Sequence, residues 1–158
     1  MRLLSPSLRT YTKEDHARVV EIENSSFGDP WPPSFFTYLH SKAPDLFLVA
    51  EDEGQIVGYI MGEIKEVMFS GLSHRSKMGH ILNIAVDGAS RERGVGSLLM
   101  GEIEEKFRRL GASHVTLEVR ESNATARSFY LGRDYSEVGR VRAYYPDEDA
   151  VIMRKPLE

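Results

Sequence analysis

The stretch Ile84-Ala85-Val86-Asp87-Gly88-Ala89-Ser90-Arg91-Glu92-Arg93-Gly94-Val95-Gly96-Ser97-Leu98-Leu99 decides how this sequence is read. It opens as an apolar strand end, passes through a turn rich in glycine and arginine, and continues as a helix. That helix is the clearest in the chain. Val95, Leu98, Leu99, Ile103, Phe107 and Leu110 follow i, i+3, i+4 steps, and Gly111 ends the pattern. The first N–H groups of a helix have no partner inside it, and the dipole places partial positive charge there. Glycines remove the Cβ atoms that would hold an anion away from those groups. Arg91 and Arg93 add charge at the rim, so the turn suits a phosphate or pyrophosphate; a plain tight strand-to-helix turn is the alternative. It lacks the Gly-Lys-Ser/Thr of a P-loop, which argues against nucleoside triphosphate chemistry, and it lacks the third glycine of the dinucleotide fingerprint.

Upstream of this stretch, His80–Val86 is nearly all apolar and reads as a strand buried on both faces. Leu46–Glu51 and Gln55–Ile64 are apolar runs separated by Asp52-Glu53-Gly54, a hairpin signal, and Val67–Met78 is expected to be a loop. Ser7–Tyr11 reads as a short strand. Thr12 offers a hydroxyl cap to a helix over Lys13–Ser26, with Glu14 and Asp15 in its first turn and Val19, Ile22, Glu23 and Ser26 at helical spacing. Gly28-Asp29-Pro30-Trp31-Pro32-Pro33 must break that helix, and a short one from Ser34 to about His40 follows.

Downstream, Val115, Leu117 and Val119 alternate with Thr116 and Glu118 in a strand ending at Arg120. Ser122 or Asn123 caps a short helix through about Leu131. Ser136–Val141 and Ala150–Lys155 read as strands, joined by the aromatic, acidic segment Tyr144–Asp149. The order β-α-α-β-β-β-α-β-α-β-β describes an α/β protein. Its sheet is mixed and holds one right-handed strand–helix–strand crossover.

The chain has 158 residues, 41% of them hydrophobic and 28% charged, which suits one globular domain over residues 1–158. A net charge of −4 and short, local basic stretches argue against a nucleic-acid-coating protein. The absence of cysteine rules out a thiol nucleophile, a disulfide and a cysteine-ligated metal. Neither a secretory h-region near residue 1 nor a bilayer-length apolar run is visible, so a cytoplasmic location is expected.

Arg91-x-x-Gly94-x-Gly96, set directly after the Ala85–Val86 strand end, resembles the acetyl-CoA signature of the GNAT superfamily of N-acetyltransferases. About thirty residues on, Leu117-Glu118-Val119-Arg120-Glu121-Ser122-Asn123-Ala124-Thr125-Ala126-Arg127-Ser128-Phe129-Tyr130 resembles the second signature of that family. Tyr144-Tyr145-Pro146, followed by Glu148-Asp149-Ala150-Val151-Ile152-Met153, is similar to the RimI and archaeal N-terminal acetyltransferase branch. Gly88-Ala89-Ser90 replaces the family's common Pro-x-Tyr/Phe, a departure that removes no ligand.

The resemblance implies the GNAT fold: a mixed, mostly antiparallel seven-stranded sheet with about four helices on both faces and a splayed central strand pair. It implies acetyl-CoA as cofactor, with coenzyme A as product. Main-chain groups of Ile84, Ala85 and Val86 would pair with the pantetheine arm, and Asn123 would contact the arm from the other side. Arg91, Glu92, Arg93, Gly94, Val95, Gly96 and Ser97 would hold the pyrophosphate. Glu118 would serve as the base, His80 would stand beside it, and Tyr130 would be the acid at the thioester sulfur. Phe27, Asp29, Trp31, Tyr144 and Tyr145 would line the peptide side. No metal is implied, since Glu118 and His80 lack a recognisable third ligand.

The amine to be acetylated must lose a proton. A protein N-terminus, with a reference pKa near 8, needs less help than a lysine at about 10.4. The resemblance to the RimI and archaeal branch implies acetyl transfer to protein N-termini, with ribosomal or nascent proteins as candidate substrates and an auxiliary subunit as a candidate partner. The rival readings are a GNAT enzyme for a small-molecule amine and a non-catalytic acyl-CoA-binding module. Tyr130→Phe and Glu118→Gln separate catalysis from simple binding.

Overall fold

The computed structural model describes residues 5–68 and 75–158. Seven strands form one sheet in the order β1-β2-β3-β4-β5-β7-β6, accompanied by four α-helices in the element order read from sequence. The strands are β1 Ser7–Thr10, β2 Phe47–Asp52, β3 Gln55–Met68, β4 Arg75–Val86, β5 Ala112–Arg120, β6 Ser136–Val141 and β7 Ala150–Pro156. The helices are α1 His16–Ser26, α2 Pro33–Lys42, α3 Val95–Arg109 and α4 Ala124–Leu131. By internal packing the chain divides into two compact units, Met1–Glu63 with Asn83–Lys106, and Ile64–Leu82 with Phe107–Glu158.

In the first unit, β1 pairs antiparallel with β2, and β2 with the start of β3. The β2–β3 turn is tight because Glu53 (φ 51°) and Gly54 (φ 76°) both adopt positive φ, as a two-residue hairpin of the primed type requires. Val19 and Ile22 of α1, Phe36 of α2, and Phe47, Tyr59 and Ile60 of the strands are fully buried together with Leu99 of α3. The start of α1 departs from expectation. A 3-10 turn over Lys13–Asp15 precedes it, with Thr12 at the N-cap and a capping box between Thr12 and Asp15. The Asp15 carboxylate accepts the Thr12 N–H at 2.7 Å and two Arg9 N–H groups at 2.7 and 2.8 Å. α2 begins at Pro33, one residue earlier than read, because proline at a first helical position gives up no intrahelical N–H.

In the second unit, β5 pairs along its length with β7, and β7 with β6 at the sheet edge, both antiparallel. β4 runs parallel to β5, with pairs from Lys77↔Ala112 to Ile81↔Leu117. A strand–helix–strand connection between parallel neighbours is thereby present. Ile81, Phe107, Val115, Leu117, Val119, Tyr135 and Met153 form its buried interior.

The loop expected over Val67–Met78 is replaced at both ends by strand. β3 runs to Met68 and β4 starts at Arg75, while 69–74 lie outside the described residues. Polar residues here carried no alternation to read. Lys77 and Met78 are held as strand by main-chain pairing to Ala112 and His114, which composition does not encode.

Candidate active site

The glycine turn belongs to the first unit. Gly94 sits at φ +84°, and a Cβ built on it would meet nothing within 4 Å. Glycine is therefore required there by backbone conformation, with open space beside it. The helical ladder of α3 starts with Leu98 N–H to the Gly94 carbonyl at 3.1 Å, so the amides of Val95, Gly96 and Ser97 precede it and have no intrahelical partner. Glu92 also holds positive φ (61°), which turns the chain sharply before the helix. These features fit a diphosphate-bearing ligand.

Arg91 does more than add charge at a rim. Its Nε donates to the Val86 carbonyl at 2.9 Å and its Nη2 to Ser26 Oγ at 3.2 Å, tying the turn to the end of β4 and to α1. The main-chain groups expected to be free around Ile84 and Val86 are thus partly engaged. The Val86 carbonyl takes Arg91, and the Ile84 N–H donates to Asn83 Oδ1 at 3.1 Å. Asparagine readily folds back onto a neighbouring amide, so this arrangement leaves no mark in an apolar strand pattern.

Sequence reading gave no role to the carboxylate at the centre of this unit. Glu23 is 1% exposed and accepts hydrogen bonds from the Tyr59 hydroxyl, from Asn83 Nδ2 and from the Trp31 N–H, the last at 3.1 Å. Burial pushes its carboxyl above the usual range, against the pull of those three donors. Its signal was present in the sequence: an acid at position 23 on the apolar stripe of Val19 and Ile22. Trp31 stacks on Phe35 with ring centroids 4.4 Å apart and is itself 41% exposed. Phe27 caps the end of α1, its N–H on the Glu23 carbonyl, and Asp29 is exposed in the following turn.

The second unit holds the residues read as base and acid. His80 Nε2 and Glu118 Oε2 lie 2.7 Å apart, the histidine buried and the glutamate half-buried. Tyr130 is buried near the end of α4, and desolvation holds its phenol well above the ordinary tyrosine range, with Tyr145 adding in the same direction. It therefore stays protonated and available as a donor. Asn123 caps α4 by accepting the Ala126 N–H at 3.1 Å, so its Oδ1 already has local work. Among the described residues, no group of three or more His, Cys, Asp or Glu side chains is arranged to hold a metal.

Tyr144 and Tyr145 contact each other edge to face at 4.9 Å in the loop between β6 and β7. The Tyr144 phenol is raised first by burial and then by the Glu118 charge, which puts this tyrosine in the electrostatic field of the dyad. The loop is pinned by a residue that sequence reading left without a role. Arg120 lies over the Tyr145 ring at 4.2 Å and binds Asp147 Oδ1 at 2.7 Å and Glu148 Oε2 at 3.0 Å. Glu148 also accepts the Ser122 N–H and hydroxyl, both at 2.8 Å, and these donors hold its carboxyl below the usual range. In the sequence, the acids after Tyr144-Tyr145 were visible, but their partner, 27 residues before Asp147, was not.

The described site residues thus form two groups. His80, Glu118, Asn123, Tyr130, Tyr144 and Tyr145 belong to one unit; Phe27, Asp29, Trp31, Ile84, Ala85, Val86 and residues 91–97 belong to the other.

Comparison with known proteins gives these groups a context. The model of the acetyltransferase (GNAT) family matches residues 16–133. The N-alpha-acetyltransferase of Sulfolobus acidocaldarius is 36% identical over 161 aligned positions, covering 99% of this chain and 95% of the relative. Among solved structures, Ard1 from Thermoplasma volcanium superposes with a TM-score of 0.86 at 28% identity, covering 97% of this chain and 98% of that one. Naa20 of Chaetomium thermophilum, solved in complex with a bisubstrate analogue, gives a TM-score of 0.85 at 32% identity, covering 96% of this chain and 86% of that one.

Proposed function

We propose that this chain, which belongs to the acetyltransferase (GNAT) family, is an N-alpha-acetyltransferase that acetylates the free N-terminal amine of proteins using acetyl-CoA. The observation that carries this reading is the nearly full-length likeness to the Sulfolobus acidocaldarius N-alpha-acetyltransferase. Peptide N-termini are the substrate class. Ribosomal or nascent proteins are the finer reading, with an auxiliary subunit as partner and the cytoplasm as location. No described helix is long and apolar enough to cross a membrane. We read the two units as halves of one catalytic domain.

Acetyl-CoA supplies the thioester whose acetyl group is transferred. The amides of Val95, Gly96 and Ser97, with Gly94 and the backbone of 91–93, would hold its diphosphate. Ile84, Ala85, Val86 and Asn123 would accept its amide-rich arm once the Asn83 side chain gives way at Ile84. Glu118, hydrogen-bonded to His80, would take the proton from the attacking amine, directly or through water, and the imidazole would share the resulting proton. Tyr130 would hold a proton at its phenolic oxygen for the departing sulfur. Phe27, Asp29, Trp31, Tyr144 and Tyr145 would receive the peptide.

The test is a library of peptides differing in their first two residues, incubated with acetyl-CoA and read by mass spectrometry. Acetyl groups on α-amines support the reading. Modification confined to lysine side chains or to small amines would sink it, and cofactor binding without any turnover would point to a binding module.

A further inference from the structure

We infer that Glu23 is a positioning residue for the peptide side of the enzyme, holding the proline-rich turn in place through the Trp31 amide. This rests on the reading of that turn as part of the peptide entrance. Glu23 is a fully buried carboxylate, and its donors Tyr59, Asn83 and the Trp31 amide are neutral. A carboxylate so placed costs free energy unless its acceptor capacity is filled, so it persists where the geometry it imposes is needed. Its two oxygens divide the work. Oε1 takes the Tyr59 hydroxyl and Asn83 Nδ2, which are themselves 3.2 Å apart, fixing the carboxylate against β3 and β4. Oε2 reaches out of this cluster to the Trp31 N–H at 3.1 Å.

That single bond falls at an informative place. Gly28-Asp29-Pro30-Trp31-Pro32-Pro33 has three prolines, which donate no main-chain N–H, so Trp31 is the donor in the middle of the proline run. The Trp31 ring, stacked on Phe35 and exposed, has its direction set by a backbone that Glu23 grips from below. Asp29, exposed in the same turn, adds a contribution smaller than that of burial in raising the Glu23 carboxyl.

Glu23→Gln tests this selectively. The glutamine keeps the volume and one carbonyl oxygen. That oxygen must stay on the side with two donors, which leaves the amide NH2 facing the Trp31 N–H, donor against donor. The turn is released while the Tyr59–Asn83 side is kept. Trp31 is the one tryptophan in the sequence, so its fluorescence reads the turn without reference to activity. In the full-length protein, with circular dichroism as the folding control, Glu23→Gln is expected to raise acrylamide quenching of Trp31 about twofold. It is expected to raise the peptide KM about tenfold, with coenzyme A affinity within about threefold of the parent. Tyr59→Phe, which leaves the Trp31 bond intact, moves neither reading.

Unchanged quenching in a folded Glu23→Gln protein overturns the inference, as does Tyr59→Phe loosening Trp31 to the same extent. If Glu23→Gln does not fold, Glu23→Met combined with Tyr59→Phe removes acceptor and donor together, and the same quenching measurement decides. A parent protein that acetylates no peptide N-terminus would refute the proposed activity, while the quenching result would still stand or fall for Glu23 itself.

Discussion

His80 and Glu118 meet across the last rung of a parallel ladder. His80 pairs with Thr116, and Glu118 lies two residues further along β5 on the same face, so Nε2 and Oε2 come within 2.7 Å. Pairing of β4 with β5 ends at Ile81↔Leu117 among the described residues, although β4 continues to Val86 and β5 to Arg120. The pair therefore stands at the end of the described β4–β5 ladder.

Its removal should affect chemistry more than binding. Glu118→Gln preserves the shape of the side chain and removes its basicity, so kcat is expected to fall about a hundredfold or more. His80→Gln should cost less, on the order of tenfold, because Glu118 remains. Coenzyme A affinity, measured by calorimetry, should stay within about threefold for both. An equal loss in affinity would mean the pair holds the fold or the ligand rather than a proton.

Tyr130 offers a complementary test. Burial makes the Tyr130 phenol a weaker acid than free tyrosine, so it stays protonated and can donate. Tyr130→Phe should lower turnover by about tenfold or more while changing cofactor affinity little. An unchanged rate would remove the hydroxyl from the mechanism.

Much of this was legible in the sequence because it depends on local pattern. Val95, Leu98, Leu99, Ile103 and Phe107 announced α3 through their spacing, and Gly94 announced the turn, which the structure places at φ +84°. Asp52-Glu53-Gly54 announced the hairpin. What escaped was set by long-range polar pairing. Asn83 looked like a lapse in an apolar strand, yet it bonds Ile84 next door and Glu23 sixty residues away. Arg120 looked like the polar end of a strand, yet it closes the loop carrying Tyr144 and Tyr145. Periodicity reports which face is apolar; it does not report which buried polar atoms find each other.

The Arg120 clamp carries its own expectation. Arg120→Lys keeps the charge but loses the planar fork and much of the ring stacking, so it should not substitute. Both Arg120→Lys and Arg120→Ala should raise the peptide KM, by about tenfold for alanine, through loosening of the loop over Tyr144–Asp149. Hydrogen exchange of the Ser122 and Tyr145 amides provides the direct check, since Glu148 holds the first by its side chain and the second by its carbonyl. Protection left unchanged in a folded variant would show that Ser122 alone secures the loop.

The Arg9–Asp15 pair governs how the fold responds to acid. Asp15 is 6% exposed and binds Arg9 through both carboxylate oxygens, while Arg9 also reaches Glu51 on β2. The Arg9 hydrogen bond holds the Asp15 carboxyl below the usual aspartate range, burial opposes it, and the Thr12 N–H adds to the lowering. A carboxyl depressed in the folded state contributes stability above its unfolded pKa, near 4, and that contribution disappears as pH falls through the lower, folded value. Asp15→Asn should therefore cost on the order of 1 kcal/mol at pH 7, a modest figure because the Arg9 end of the pair is partly solvated. The cost should shrink as the pH drops below about 4, where the parent begins to lose the same interaction. Urea unfolding of the two proteins at pH 7 and pH 3 measures the difference. If the gap between them were as wide at pH 3 as at pH 7, the stabilisation would come from the shape of the side chain rather than from its charge.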